Sequence, residues 1–204
     1  MHIPDGFLTP QVFGPLWVAG AGGVAYSLKK TRETLKDKAV PLMGVTAAFI
    51  FAAQMLNFPI FGGTSGHLLG GVLAAVLLGP YAGAIIISLV LIIQCLVFQD
   101  GGLTALGANI FNMAFLGAVV GYFIYRILRK RLGLIASTGL AAWFSVVIAS
   151  LACAIELAIS GASVLKIVLP AMVGVHALIG IGEAVITCLV INFVSKVRPD
   201  LIYN

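Results

Sequence analysis

The chain has 204 residues, of which 61% are hydrophobic and 9% charged, and its mean hydropathy is +1.12. This is far more apolar than soluble globular domains, so it excludes a water-soluble enzyme and leaves no room for a sizeable soluble domain. The formal charge of +5 does not mark a nucleic-acid binder, because the basic residues adjoin apolar runs and nowhere build an exposed basic domain; they report membrane topology instead.

The chain opens Met1-His2-Ile3-Pro4-Asp5-Gly6. A terminal amine beside a histidine is a chelator. The Met1 amine, the His2 amide nitrogen once a metal displaces its proton, and the nearer His2 ring nitrogen close two fused chelate rings, which lays three nitrogens in one plane. A fourth nitrogen from elsewhere, such as His67, completes the square that nickel(II) or copper(II) prefers, with cobalt(II) also accommodated. Pro4 restricts Ile3 to extended conformations. The plainer reading of His2 is a mobile terminal residue. With Asp5 in place of a basic leader, this terminus is expected to stay attached and to keep its methionine.

A helical span needs about 20 apolar residues, and the pattern predicts seven. The first covers residues 7–28 and leads into a charged loop over residues 29–38; the second covers 39–56. A Pro/Gly-punctuated connection follows, with Gly63-Thr64-Ser65-Gly66-His67 at its end. A short helix over 67–79 is broken by Gly79-Pro80 before a fourth span over 81–98; a single re-entrant element is the alternative. Further spans are predicted over 109–128, 134–159 and 171–194, with Lys166 and Pro170 in an outer loop. The fold class is therefore an all-α polytopic bundle forming one membrane domain over 1–204. On this model eleven Lys/Arg fall inside and Lys166 alone outside, which puts the amino terminus outside, the carboxy terminus in the cytoplasm, and His2 and His67 at one membrane face.

Small residues at four-residue spacing, Ala21/Ala25, Gly71/Ala75/Gly79 and Gly117/Gly121, mark close helix approaches or, for the first pair, docking onto another membrane subunit. Cys95, Cys153 and Cys188 are isolated in apolar runs and read as inert thiols. Ionisable residues within spans are costly. Glu156, His176 and Glu183 therefore form a candidate polar network, serving as a relay or as neutral interhelical ties. Gln54, Asn57, Gln94, Gln99, Asp100, Asn109 and Asn112 gather toward the outer half, where Asp5, Thr64, Ser65 and Asn109 are candidates to support metal-bound imidazoles.

Four stretches, 1–6, 63–71, 98–109 and 176–183, carry a resemblance to the CbiM/NikM family, the metal-binding membrane components of energy-coupling-factor transporters for cobalt and nickel; it covers nearly the whole chain. The resemblance implies a seven-helix subunit in a prokaryotic cell membrane that captures Ni²⁺ or Co²⁺ outside. It also implies a transmembrane coupling subunit, cytoplasmic ATPases and, since the chain stops just past its last span, a separate small accessory membrane subunit. The family's ligands fall on the Met1 amine, the His2 amide and imidazole, and His67. Four planar nitrogens favour nickel. No phosphate-binding Gly-x-x-x-x-Gly-Lys-[Ser/Thr] stretch is present, so no ATP site is expected in this chain. Two competing functions are an intramembrane serine protease built on Ser65 and His176, and a self-sufficient ion-coupled carrier using Glu156, His176 and Glu183.

Overall fold

The computed structural model describes residues 1–34, 39–60 and 64–203. Within the expected charged loop, residues 35–38 lie outside the described residues, as do Gly62 and Gly63 of the later connection. Helix α1 spans Pro10–Thr34 and α2 Ala39–Gln54, followed by strands β1 (Phe58–Ile60) and β2 (Thr64–Gly66). Helices α3 (Gly71–Leu78), α4 (Pro80–Phe98) and α5 (Leu106–Ile110) come next. A π-helical stretch, Phe111–Val120, joins α5 to α6 (Gly121–Ile159), and α7 runs over Leu165–Val197 before a 3₁₀ turn at Pro199–Leu201.

Three helical runs are long and apolar enough to cross a membrane: Pro80–Phe98, Leu106–Ile159 and Leu165–Val197. The second has 54 residues, far beyond the roughly 20 that span a bilayer. It is broken at Gly133 (φ 74, ψ −176), a left-handed conformation that suits glycine. The break falls between the expected fifth and sixth spans, two residues after the basic run Arg129-Lys130-Arg131.

Three expectations need correction. Residues 29–34, expected in the charged loop, continue helix α1 to Thr34. The connection after α2 is a short antiparallel hairpin, with Phe58 opposite Gly66, Pro59 opposite Ser65 and Ile60 opposite Thr64. Strands of three residues are too short for an alternating pattern to be read. Lys166 and Pro170 lie inside α7, not in an outer loop. A proline there removes a single intrahelical bond, to the Lys166 carbonyl, and the rest of the helix tolerates it.

Lipid is as apolar as a leucine side chain, so helices in a bilayer associate through close packing. The short α3 shows what that requires. All its residues are buried, and a Cβ on Gly71 would lie 2.6 Å from the Gly117 carbonyl carbon, while one on Gly121 would meet Val72 at the same distance. Glycine at these contacts lets α3 sit among α4, the π-helical stretch and α6. Gly70 (φ 76) and Gly79 (φ 90) turn the chain at its two ends. Ala21 and Ala25, by contrast, face outward from α1. The last residues fold back beneath α3: the Tyr203 amide donates to the Val76 carbonyl at 2.9 Å. Helix α3 thus connects the loop bearing His67 with the carboxy-terminal tail.

Candidate metal centre

The first residues are packed into the protein like core. Met1 and Ile3 are fully buried and His2 is 3% exposed. Ile3 is clamped in both directions by Asn109, whose Oδ1 accepts from the Ile3 amide (2.9 Å) and whose Nδ2 donates to the Ile3 carbonyl (3.2 Å). The Gly102 amide donates to the same carbonyl at 2.8 Å. Further out, the Asp5 carboxylate accepts from the Leu103 amide (3.0 Å), the Thr104 amide (2.7 Å) and the Thr104 hydroxyl (2.5 Å). These bonds, the Thr104 hydroxyl first, hold the Asp5 pKa below the ordinary value. Asp5 and Asn109 therefore moor the segment and make no contact with an imidazole among the described hydrogen bonds.

His67 reaches the same place from the loop between β2 and α3. That loop is fixed from below by Glu183 of α7, whose carboxylate accepts from the Leu69 amide at 2.6 Å and the Gly70 amide at 2.9 Å. Gln54 of α2 adds a bond from its Nε2 to the Leu69 carbonyl, 2.7 Å. The result is that His67 Nε2 stands 2.7 Å from the Met1 amine nitrogen, and the His2 and His67 rings stack with centroids 4.4 Å apart.

The second nitrogen of each ring determines what the first can do. His67 Nδ1 lies 2.8 Å from the Leu68 carbonyl; a carbonyl only accepts, so Nδ1 carries the hydrogen and Nε2 presents its lone pair. His2 Nε2 lies 2.9 Å from Gln94 Oε1, so Nε2 is the protonated nitrogen and Nδ1 is free to bind. The amino group is also deprotonated: burial lowers its pKa from 8.0 to about 5. Burial, with the adjacent amine second, lowers His2 from 6.5 to about 3, and the same causes push His67 well down. Three lone pairs are thus ready at neutral pH. The fourth nitrogen, the His2 amide, donates to Ser65 Oγ at 3.2 Å.

Metal–nitrogen bonds of about 2 Å set neighbouring corners of a square about 2.8 Å apart. The amine-to-His67 separation of 2.7 Å is the spacing such a corner pair needs. No group of three His, Cys, Asp or Glu side chains among the described residues could hold a metal; the candidate donors gathered here are the Met1 amine, the His2 amide and the two imidazoles.

Ser65 sits at the focus. Its hydroxyl lies 3.3 Å from the amine and 3.5 Å from His2 Nδ1, and its carbonyl accepts from the amine. Thr64 is one step removed, with its hydroxyl 3.4 Å from the Ser65 carbonyl. Among the described hydrogen bonds the three intramembrane groups do not bond one another as a relay would; the two carboxylates act as separate ties between elements. Glu183 binds the α3 loop, Glu156 accepts from Asn112 Nδ2 at 2.7 Å, and His176 Nδ1 lies 2.8 Å from the Met172 carbonyl. Their spacing along α6 and α7 put two of them on one helix face, but each found a nearer partner. A Ser65–His176 dyad is not assembled, because the Ser65 hydroxyl is engaged with Met1 and His2 while His176 Nε2 has no hydrogen-bond partner. Gln94 and Asp100 were legible only as outer polar residues; the fold places both on His2, with Asp100 Oδ1 3.4 Å from Nδ1.

With this geometry in view, the comparisons with known proteins are specific. Residues 2–201 match the family CbiM, described as the cobalt uptake substrate-specific transmembrane region. This chain belongs to the CbiM family. A protein of Archaeoglobus fulgidus named as a fused nickel transport protein, NikMN, is 46% identical over 204 residues, covering 99% of this chain and 68% of its own length. The fused nickel transport protein NikMN of Rhodobacter capsulatus is 34% identical over 99% of this chain and 64% of its own. Among solved structures, a truncated transition metal transporter superposes with a TM-score of 0.91 at 39% identity, covering 96% of this chain and 99% of that one. This CbiM-family chain is a membrane transport component, and its fold is that of a solved transition metal transporter.

Proposed function

We propose that the protein is the substrate-specific, metal-binding subunit of an energy-coupling-factor uptake system for nickel(II) or cobalt(II), nickel being favoured. Residues 1–6 fold into the outer mouth of a seven-span bundle in a prokaryotic cell membrane, with the amino terminus outside and the carboxy terminus in the cytoplasm. The Met1 amine, the His2 amide and Nδ1, and His67 Nε2 hold the dehydrated ion in a plane. Deprotonation of the His2 amide accompanies binding. A transmembrane coupling subunit, for which the exposed Ala21 and Ala25 of α1 offer a contact face, works with cytoplasmic ATPases to bring the ion inward. A small accessory membrane subunit assists loading.

The observation that carries this reading is the 2.7 Å approach of the Met1 amine to His67 Nε2, with the other ring nitrogen of His2 tied to Gln94 and that of His67 to the Leu68 carbonyl. The cobalt-uptake description of the family and the nickel-transport names of relatives support nickel or cobalt as the substrate. Nickel is preferred because four planar nitrogens match its geometry. Metal analysis of purified protein with its native first residue tests it: about one Ni²⁺ per chain is expected, lost both in His67→Ala and when residues are added ahead of Met1. Full retention after that extension would sink the terminal-amine site.

A further inference from the structure

The nitrogens just described are closed off from water, with Met1, His2 and His67 exposed by 0%, 3% and 1%. An ion must nevertheless reach them from solvent. One carboxylate stands on that boundary: the Asp100 side chain is 17% exposed and its Oδ1 lies 3.4 Å from His2 Nδ1. Its other oxygen accepts from Asn57 Nδ2 at 2.8 Å. Asp5, the neighbouring acidic residue at this end, has both oxygens engaged by Leu103 and Thr104.

The backbone holds Asp100 in place at a cost. Gln99 adopts φ 55, ψ 29 as the cap of α4 and is the only non-glycine residue with positive φ among the described residues. Left-handed conformations are strained for non-glycine residues, and strain of this kind persists where the surroundings demand it. The Asp100 amide is fixed to the Gln94 carbonyl at 3.0 Å, while the Gln94 side chain holds His2 Nε2. A single residue of α4 therefore sets the carboxylate and the imidazole relative to each other.

We propose that Asp100 is the capture group of the site: it takes the hydrated divalent cation at the rim and passes it to His2 Nδ1. The inference rests on the Met1–His2–His67 reading and adds the route by which the ion arrives. A cation about 2 Å from each of two donors can bridge separations of up to about 4 Å, so the observed 3.4 Å is spanned without moving either group. A carboxylate suits an ion still carrying water, whereas the planar nitrogens suit one that has shed it. Each step is ligand exchange: one bound water leaves as Asp100 Oδ1 binds and another as His2 Nδ1 binds. The amine, the amide and His67 then complete the plane as the remaining bound waters and Asp100 Oδ1 leave the ion, the amide proton passes to the departing water, and Asp100 keeps its bond to Asn57 through Oδ2.

The test is rapid mixing of Ni²⁺ with purified protein, following the visible d–d band of planar four-coordinate nickel. For Asp100→Asn the association rate should fall about tenfold, the scale of electrostatic steering by one charged rim, with an unchanged final band and a dissociation rate into chelator that falls by a similar factor, because release retraces the route of capture. Asp100→Glu keeps the charge and should recover most of the rate, which separates capture from damage to the fold. Salt should slow the wild type more than the Asn variant. A wild-type rate in Asp100→Asn overturns the inference, as does an altered final band, because Asp100 would then be a lasting ligand. If the wild-type band survives His67→Ala, the four-nitrogen site itself fails and the inference fails with it.

Discussion

At Gln94 one amide oxygen selects the tautomer of His2. It fixes hydrogen on Nε2 and so leaves Nδ1 as the donor atom within reach of the neighbouring amide. Gln94→Leu should lower Ni²⁺ affinity by about 10–100-fold, the usual effect of removing an outer partner of a ligating imidazole, measured by competition with a chromogenic chelator; an unchanged affinity would show that the tautomer is set elsewhere. The amine makes a second, pH-dependent prediction. Its pKa is lowered from 8.0 to about 5 by burial, so between those values the unfolded chain binds a proton that the folded chain does not. Stability therefore rises with pH across about pH 5–8, and the penalty is largest at and below pH 5, where it amounts to about 4 kcal/mol at most. His2 adds a similar slope between about pH 3 and 6.5. Thermal unfolding in detergent should show the melting temperature climbing from pH 5 to pH 8, and N-terminal acetylation should flatten the amine's share.

Among the elements, α3 and α7 decide whether His67 arrives in register. The Glu183 carboxylate caps the turn into α3 through two backbone amides, a job no side chain of the His67 loop itself performs. Glu183→Leu leaves both amides buried without acceptors, at about 1–3 kcal/mol each, so a lower melting temperature and weaker metal binding are expected together. Glu183→Gln retains one acceptor oxygen and should fall between Leu and wild type; equal behaviour of wild type and Leu in a nickel titration would remove Glu183 from the support of the site. The sequence marked Glu183 as significant because a carboxylate inside a span is rare. It could not show the partner, since the amides of Leu69 and Gly70 are indistinguishable from any others until the loop is folded. The hairpin of β1 and β2 was hidden for a different reason: three residues per strand carry no period.

For the molecule as a whole, the charge distribution makes a prediction about orientation. In a background lacking Cys95, Cys153 and Cys188, a cysteine at Leu103 should be labelled by an impermeant maleimide from outside the cell and one at Lys130 only after the membrane is opened. Both positions are exposed, so access and not burial governs labelling, and the opposite pattern would reverse the proposed topology.

Composition alone determined that this chain belongs in a membrane, and the apolar runs located most of its helices, because span length and hydropathy are local properties of the chain. The chelating character of Met1-His2 was equally local, arising from the covalent spacing of an amine, an amide and a ring nitrogen. The site as an assembly was decided by tertiary structure. Met1 meets a residue 66 positions away, His2 one 92 positions away, and the His67 loop is held from 114 positions away. Such partners follow from how α3, α4 and α7 pack side by side; no repeat, period or motif within one segment encodes which buried oxygen will face which ring nitrogen.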